Sequence, residues 1–237
     1  MVAPSSHAPP PRHRRAPDVP RPGCPTCGAS RLRITESDLK SSLVSDAPAP
    51  PQVFQQAVAS LRAVRPRPEL LLAPLDAPPR LAPFTWAFSV EAVTDPDMPD
   101  GDISEPDTSG RLILLHDPAG QDAWEGTFRL VCFVQARLEP EQLGDEMLPV
   151  VGWSWLTEAL ELAEAEHVAL GGTVTQTSSV RFGDIAGPRR DDDVELRASW
   201  TPVGNDLSRH AEAFCSLVAS AAGLPPVGVL PLATRRM

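Results

Sequence analysis

The sequence predicts an α+β fold, an antiparallel sheet with helices packed on one face, in the order α-β-β-β-α-β-β-α and preceded by a disordered N-terminal tail. Apolar residues recur with the 3.6-residue period of helices in three main segments and with the two-residue period of strands in others. The strands follow one another in runs joined by loops, instead of alternating with helices as they would in a parallel sheet. We therefore expect one domain built on one sheet.

Three parts of the chain are expected to behave differently. Residues 1–46 are rich in Pro, Ser and Arg and lack hydrophobic periodicity, so they cannot bury enough apolar surface to fold and should be disordered. Residues 47–230 form the single α+β domain, and residues 231–237 form a C-terminal tail. The abrupt change in composition also suggests a translation start near Leu43 or Val44, a hypothesis that the intact mass of the native protein would test.

The first half of the domain is expected to contain one helix and three strands. The segment PQVFQQAVASLRAV, residues 51–64, carries an apolar stripe at helical spacing, and prolines follow it. Residues 66–83 are punctuated by proline and should form an extended connector over the surface. The period then changes to two, which predicts strands at 84–93, 109–117 and 127–138, with a long acidic loop between the first two.

The second half should contain two more helices and two strands. After a short helical piece near Glu139–Met147, the segment GWSWLTEALELAEAEHVALGG predicts a helix that ends at Gly171 and Gly172. Strands are expected at 173–184 and 193–202. The last helix should span 206–223, with Asp206 as its N-cap and Gly223 at its C-terminal end.

Charge and composition exclude several classes of function. Residues 1–43 hold seven basic and three acidic residues, a charge of +4, which leaves −14 for the rest of a chain whose net charge is −10. An acidic body repels phosphates and anionic lipid, so only the Arg-rich tail is expected to bind nucleic acid, and weakly. Neither a secretion signal nor an apolar span is visible, so we expect a cytoplasmic protein that has no membrane partner.

The pair Cys24 and Cys27, in the stretch GCPTCG, is the one motif with the spacing of a metal half-site. His7 and His13 could complete a zinc site, but their spacing matches no standard finger. The remaining cysteines, Cys132 in a strand and Cys215 on an apolar helix face, are expected to be buried thiols. The zinc site is thus incomplete, and no cofactor is predicted.

Three further motifs fall short of the sites they resemble. The acidic loop around Asp100 has proline and methionine where an EF-hand needs carboxylates. The Glu164–His167 pair has the spacing of di-iron bundles but is the only such pair, so we expect His167 to complement a helix dipole instead. Ser154 in GWSWL lacks the last glycine of a nucleophile elbow and has no partner except an imagined His116–Asp117 pair. No catalytic residue is therefore assigned.

The tryptophans of GWSW are the one aromatic pair that suggests a contact surface. Trp153 and Trp155 could anchor a protein partner, since tryptophan is enriched at interfaces, or could pack a helix on the sheet. Of these two interpretations, we favour packing of the helix on the sheet.

The string GWSWLTEALELAEAEHVALGGTVTQTSSVRFGDIAGP, continued by VELRASWTP and AEAFCSLVASAAGLPP, resembles an uncharacterised actinobacterial family, domain-of-unknown-function family three thousand. The resemblance covers about residues 50–230 and omits the cysteine pair. It implies no activity, because the family has no assigned catalytic residues. The element order is also similar to that of small dimeric secretion chaperones, a likeness of topology alone.

We therefore expect a non-enzymatic cytoplasmic module, chaperone-like or regulatory, that works through contacts with an unknown protein partner; a homodimer is one form such contacts could take. One alternative is a small-molecule-binding protein or enzyme with a pocket between sheet and helices, toward which His116, Asp117, Arg129 or Arg181 could point. The other is weak nucleic-acid binding through the Arg-rich tail.

Overall fold

A computed structural model of the chain describes residues 49–78, 80–93, 107–138, 142, 144–185 and 191–228. In this part of the chain three helices and six strands follow one another: α1 Gln52–Arg62, β1 Leu70–Leu75, β2 Phe84–Ala92, β3 Thr108–Gln121, β4 Gly126–Arg137, α2 Leu148–Leu162, β5 His167–Ser179, β6 Asp191–Pro202 and α3 Ser208–Ala221. The predicted tail, most of the acidic loop and the C-terminal tail lie outside the described residues.

The six strands form one antiparallel sheet in the order β1-β2-β3-β4-β6-β5. Every second residue points to the side of the helices, for example Leu112, Leu114, Leu130 and Trp200, which are buried. The three helices pack on this side and leave the other side of the sheet without a helix among the described residues. The α+β fold, with its antiparallel sheet and helices on one face, is confirmed.

Helix α3 packs across the centre of the sheet and α2 packs over the edge formed by β5. A close approach makes the first contact possible: a Cβ at Gly110 of β3 would lie 2.7 Å from Cγ2 of Val218 in α3. Phe214 of α3 is completely buried and meets Phe88 edge to face. The core therefore lies between α3 and strands β2 to β4.

Strand β1 is a difference from the predicted order. The prolines of residues 66–83 were expected to keep the segment as a connector, but Leu70–Leu75 pairs with β2 over its whole length. Pro74 is tolerated because β1 is the edge of the sheet, where one side of the strand needs no backbone donor. The observed order is thus α-β-β-β-β-α-β-β-α.

The predicted end of α2 was wrong. The helix ends at Leu162, and Glu164 takes the left-handed conformation with φ of 53°. The amide of Ala165 then donates to the Leu160 carbonyl at 2.9 Å, and that of Glu164 to the Glu161 carbonyl at 2.9 Å, the two bonds of a Schellman motif. Because the chain reverses here, β5 begins at His167, before the two glycines that were expected to stop the helix.

Helix α3 agrees more closely with its prediction. Its C-terminal end has the same Schellman pair of bonds, with Gly223 at φ of 67° in the left-handed position. At the other end Asp206 lies just before the helix, and its carboxylate accepts the backbone amide of Ser208 at 3.0 Å. This bond lowers the pKa of Asp206. None of the helices in the described ranges is long and apolar enough to cross a membrane.

Candidate functional site

The predicted metal ligands lie where the structure makes no statement. Cys24 and Cys27, with His7 and His13, fall within residues 1–48, and Asp100 falls within residues 94–106, all outside the described residues. Asp107, at the end of that loop, pairs with Arg137 at 2.7 Å. In the ranges that are described, no group of three or more His, Cys, Asp or Glu side chains could hold a metal ion. The cysteine pair stays a prediction.

The other two cysteines are buried, as predicted. Cys132 lies in β4 and Cys215 in α3, both as free thiols. Burial raises the pKa of each thiol to about 12, because the thiolate would lose its hydration in this apolar layer. Neither thiol is suited to nucleophilic chemistry near neutral pH.

The hypothetical triad of Ser154, His116 and Asp117 does not form. His116 is buried among the rings of Phe54, Phe84 and Phe128, and its Nδ1 donates to the Thr127 carbonyl at 3.0 Å. Ser154 lies within α2, and its hydroxyl donates to the Val151 carbonyl one turn earlier. Asp117 instead holds a turn through the backbone amide of Ala119 at 3.0 Å (with a second bond to Gln121). The three side chains belong to three separate local structures.

His167 and Glu164 do not form the pair that helical spacing would give. His167 is the first residue of β5, and not a residue at a helix C-terminus as expected, and its Nδ1 donates to the Ala165 carbonyl at 2.8 Å. Glu164 is exposed and lies 3.8 Å from Arg209. The pairing by helical spacing is lost because α2 has already ended before Glu164.

The layer between sheet and helices gives the predicted pocket little room. A void of about 10 Å³ between α2, α3 and the sheet is lined by apolar side chains, among them Trp155, Leu217 and Ala221. Of the four polar residues expected there, Arg129 lies on the other side of the sheet. It donates to the Ala169 carbonyl at 2.9 Å and to the Ser199 hydroxyl at 2.8 Å, and burial lowers its pKa. Arg129 thus ties β4 to an irregular point in β5.

The helix-free side of the sheet carries a polar groove of about 320 Å³. Arg111, Arg137 and Arg181 line it together with four carboxylates. Much of this charge is already matched, because Arg137 pairs with Asp107 and Arg181 pairs with Asp191. Arg111 lies over the ring of Phe133 at 5.9 Å. Of the four residues predicted to line a pocket, Arg181 lines this groove.

The two edges of the sheet differ in how they are protected. Strand β1 is short, contains Pro74 and has a further proline, Pro78, close behind it. Strand β5 runs for 13 residues, and from Val168 to Ser179 it has neither a charged residue nor a proline. On its outer side no strand from the described ranges pairs with it. Natural edge strands are usually short, charged, kinked or covered, so among the described residues β5 is an unprotected edge.

Helix α2 borders this edge with apolar side chains. Gly152 faces the sheet, since a Cβ there would lie 3.2 Å from Cγ1 of Val174 in β5, and Trp155 points toward α3. The helical period then places Trp153 on the opposite flank, above the outer side of β5, and points Val150 away from the sheet. Trp153 is half-buried against the core cluster, and Val150 is 60% exposed.

Two complementary features lie at the two ends of β5. Near its start is an open depression of about 510 Å³, lined by Leu160, Ala165, His167 and Val203 together with glutamates. Just beyond its end, Phe182 is 78% exposed. An aromatic ring so exposed beside an edge strand is a natural anchor for a protein contact.

This edge was not predicted from the sequence. The strand was predicted to begin at Thr173 and the residues before it to be helical, so the predicted strand was shorter than the uncharged run. The run itself, VALGGTVTQTSS, was a usable signal, because a strand that long without charge or proline is unusual at an edge. Trp153 and Trp155, in contrast, were already candidates for a contact surface, although core packing was favoured for both, and both are packed against the core cluster.

A family model described as "Protein of unknown function (DUF3000)" matches residues 50–230 of the chain. No curated protein and no solved structure matches the chain.

Proposed function

Because the chain belongs to the DUF3000 family, whose description assigns no activity, we propose its function from its surface: a non-catalytic module that binds a protein partner by adding the partner's strand to β5. The unprotected edge from Val168 to Ser179 is the observation that carries the proposal. A partner strand there would form main-chain hydrogen bonds with the outward-facing backbone of β5, and these bonds would supply much of the affinity.

The neighbouring side chains support the same use. By the helical period Trp153 lies on the flank of α2 above the outer side of β5, where it would cover an added strand from one face. The exposed threonines of β5, Thr173, Thr175 and Thr177, lie on the other face and can pack or hydrogen bond with side chains of the added strand. A half-buried tryptophan beside an open edge fits the predicted role of Trp153 as an interaction residue.

The proposal is tested by capture of partners on tagged full-length protein from its native host. The variant Thr175→Lys with Thr177→Lys puts two charges on the edge, which should prevent strand pairing without disturbing the core, because both positions are exposed. The matched control, Leu71→Lys with Ala73→Lys, places the same charges on the opposite edge strand. We expect proteins that bind the wild type and the control but not the β5 variant; an identical set from all three would refute the proposal.

A second candidate is the binding of a small charged molecule in the polar groove. Its support is the convergence of Arg111, Gln135 and Asp193 there, where burial raises the pKa of Asp193. We rank it second because most of the charges in the groove are paired with one another. Thermal shifts with a panel of small carboxylates, phosphates and amines would test it: a true ligand loses its effect in Arg111→Ala and keeps it in Arg197→Ala, which lies outside the groove.

A further inference from the structure

We propose that the strand that β5 accepts is β5 of a second copy of this chain, so that two sheets join into one across a twofold axis; this inference rests on the proposed function. An isologous contact requires a surface that is complementary to itself. The outer edge of β5 meets this requirement in its charge, in its length and in the features at its two ends.

The uncharged run is self-complementary. Its regular part, Gly171 to Ser179, is centred on Thr175, and an axis through Thr175 would pair Gly171 with Ser179 of the second copy. Each residue would then face a glycine or an uncharged side chain, with no like charges opposed along the strand. A chain with a net charge of −10 could associate with itself more easily at this neutral strip than at most of its surface.

The ends of β5 match in the same register. Phe182 follows Thr175 at about the distance at which His167 precedes it, once the extra residue of the irregularity between Val168 and Gly171 is allowed for. The twofold axis would therefore carry Phe182 to the depression beside the second copy's His167. The exposed ring would be placed against Leu160 and its neighbours, and the depression in the first copy would receive the second copy's Phe182.

This pair of contacts argues for a second copy over an unrelated strand. An added strand from any protein would pair with the backbone of β5, and a second copy in addition supplies an exposed phenylalanine at the position of the depression. Trp153 would approach the same residue of the other α2 across the axis, which adds apolar area to the contact. The interface would then have an apolar centre and a rim of glutamates around each depression.

Sedimentation equilibrium of the purified full-length chain tests the inference. We expect a dimer whose dissociation constant rises at least about thirty-fold in Phe182→Ala, because a buried aromatic anchor is a typical hot spot. Phe182 is 78% exposed, so its removal should leave the fold of each copy unchanged. The control Leu71→Ala removes another exposed apolar side chain, from the other edge, and should leave the dimer intact.

Two results would overturn the inference. A wild type that is monomeric up to about 100 μM has no second copy on β5 at any affinity that matters. A Phe182→Ala dimer as tight as that of Leu71→Ala would mean that the copies meet elsewhere. If the wild type is monomeric while the two-lysine β5 variant still loses captured partners, this inference fails and the proposed function stands; if capture is also unchanged, both fail.

Discussion

Gly172 shows how one residue fixes the position of an edge strand. It lies opposite Ala198 of β6, and a Cβ at Gly172 would lie only 2.3 Å from the Arg197 carbonyl oxygen, a backbone atom that cannot move aside. Its neighbour Gly171 has nothing within 4 Å of the same position. The two glycines look alike in the sequence but do different things in the fold.

We therefore predict that Gly172→Ala lowers the free energy of unfolding by about 2 to 3 kcal/mol, the usual cost of forcing atoms into a packed site. Gly171→Ala should change it by less than about 0.5 kcal/mol. Denaturant unfolding of the two variants gives the comparison. Equal effects would mean that β5 does not lie against β6 in this register.

His210 is buried in α3, and its Nδ1 accepts the indole N–H of Trp200 at 3.2 Å. Burial, and next the nearby His167, lower the pKa of His210 to about 4 from its usual 6.5. The unfolded chain therefore binds a proton at this residue at a higher pH than the folded chain does. Its contribution to stability is complete above pH 6.5 and is lost as the pH falls toward 4.

From this we predict that acidification from about pH 7 to about pH 4.5 removes about 2 kcal/mol of stability through His210 alone. In His210→Gln the amide oxygen can still accept from Trp200 but does not titrate, so this part of the pH dependence should disappear. Unfolding curves of both proteins over that range measure the difference. If the wild type and the variant lose the same stability, His210 is not the group responsible.

Residue identity predicted the burial of Cys132 and Cys215 from their apolar neighbours, because burial follows local pattern. It could not separate Trp153 from Trp155 or Gly171 from Gly172. In both pairs the outcome depends on what lies across the contact, on α3 for Trp155 and on the Arg197 carbonyl for Gly172. Such contacts join parts of the chain that no local pattern connects.

At the level of elements, the end of α2 decides where β5 begins. Helices α2 and α3 were each predicted to end at a glycine in the left-handed conformation, and Gly223 after α3 does adopt it. After α2 that position is held by Glu164, at φ of 53°, so the helix ended without the expected residue. Because this turn was not predicted, the first residues of β5 were assigned to the helix and the predicted edge strand was too short. β1 was missed for the related reason that its prolines suit an edge strand as well as a connector.

The same turn gives a prediction at this scale. Glu164→Gly should raise the free energy of unfolding by about 0.5 to 1 kcal/mol, because glycine adopts the left-handed conformation without the strain that a side chain causes. The exposed contact with Arg209 that is lost contributes little. Glu161→Gly, one turn earlier and still helical, should instead cost about 1 kcal/mol. Thermal or denaturant unfolding distinguishes them, and a loss in both variants would place Glu164 in the helix.

For the whole molecule, the α+β class followed from the order of periodicities, but the order of the strands in the sheet did not. Placing β6 between β4 and β5 is what leaves β5 at an edge, and only the pairing in three dimensions shows it. The expected protein contacts were a conclusion by exclusion, since no catalytic set could be found. The structure adds a positive reason: one edge of the sheet is closed by length and proline, and the other is open.

The most direct test of this account is a covalent one, at the centre of the open edge. In a full-length chain with Cys24→Ser and Cys27→Ser, Thr175→Cys is the only new thiol, and the buried Cys132 and Cys215 should not react. After mild oxidation of the purified protein, we predict a disulfide-linked dimer of this chain, because the twofold axis through Thr175 brings the new thiols of the two copies together. The absence of this dimer, or an equal yield from Ala73→Cys on β1, would contradict the claim that a second copy docks on β5.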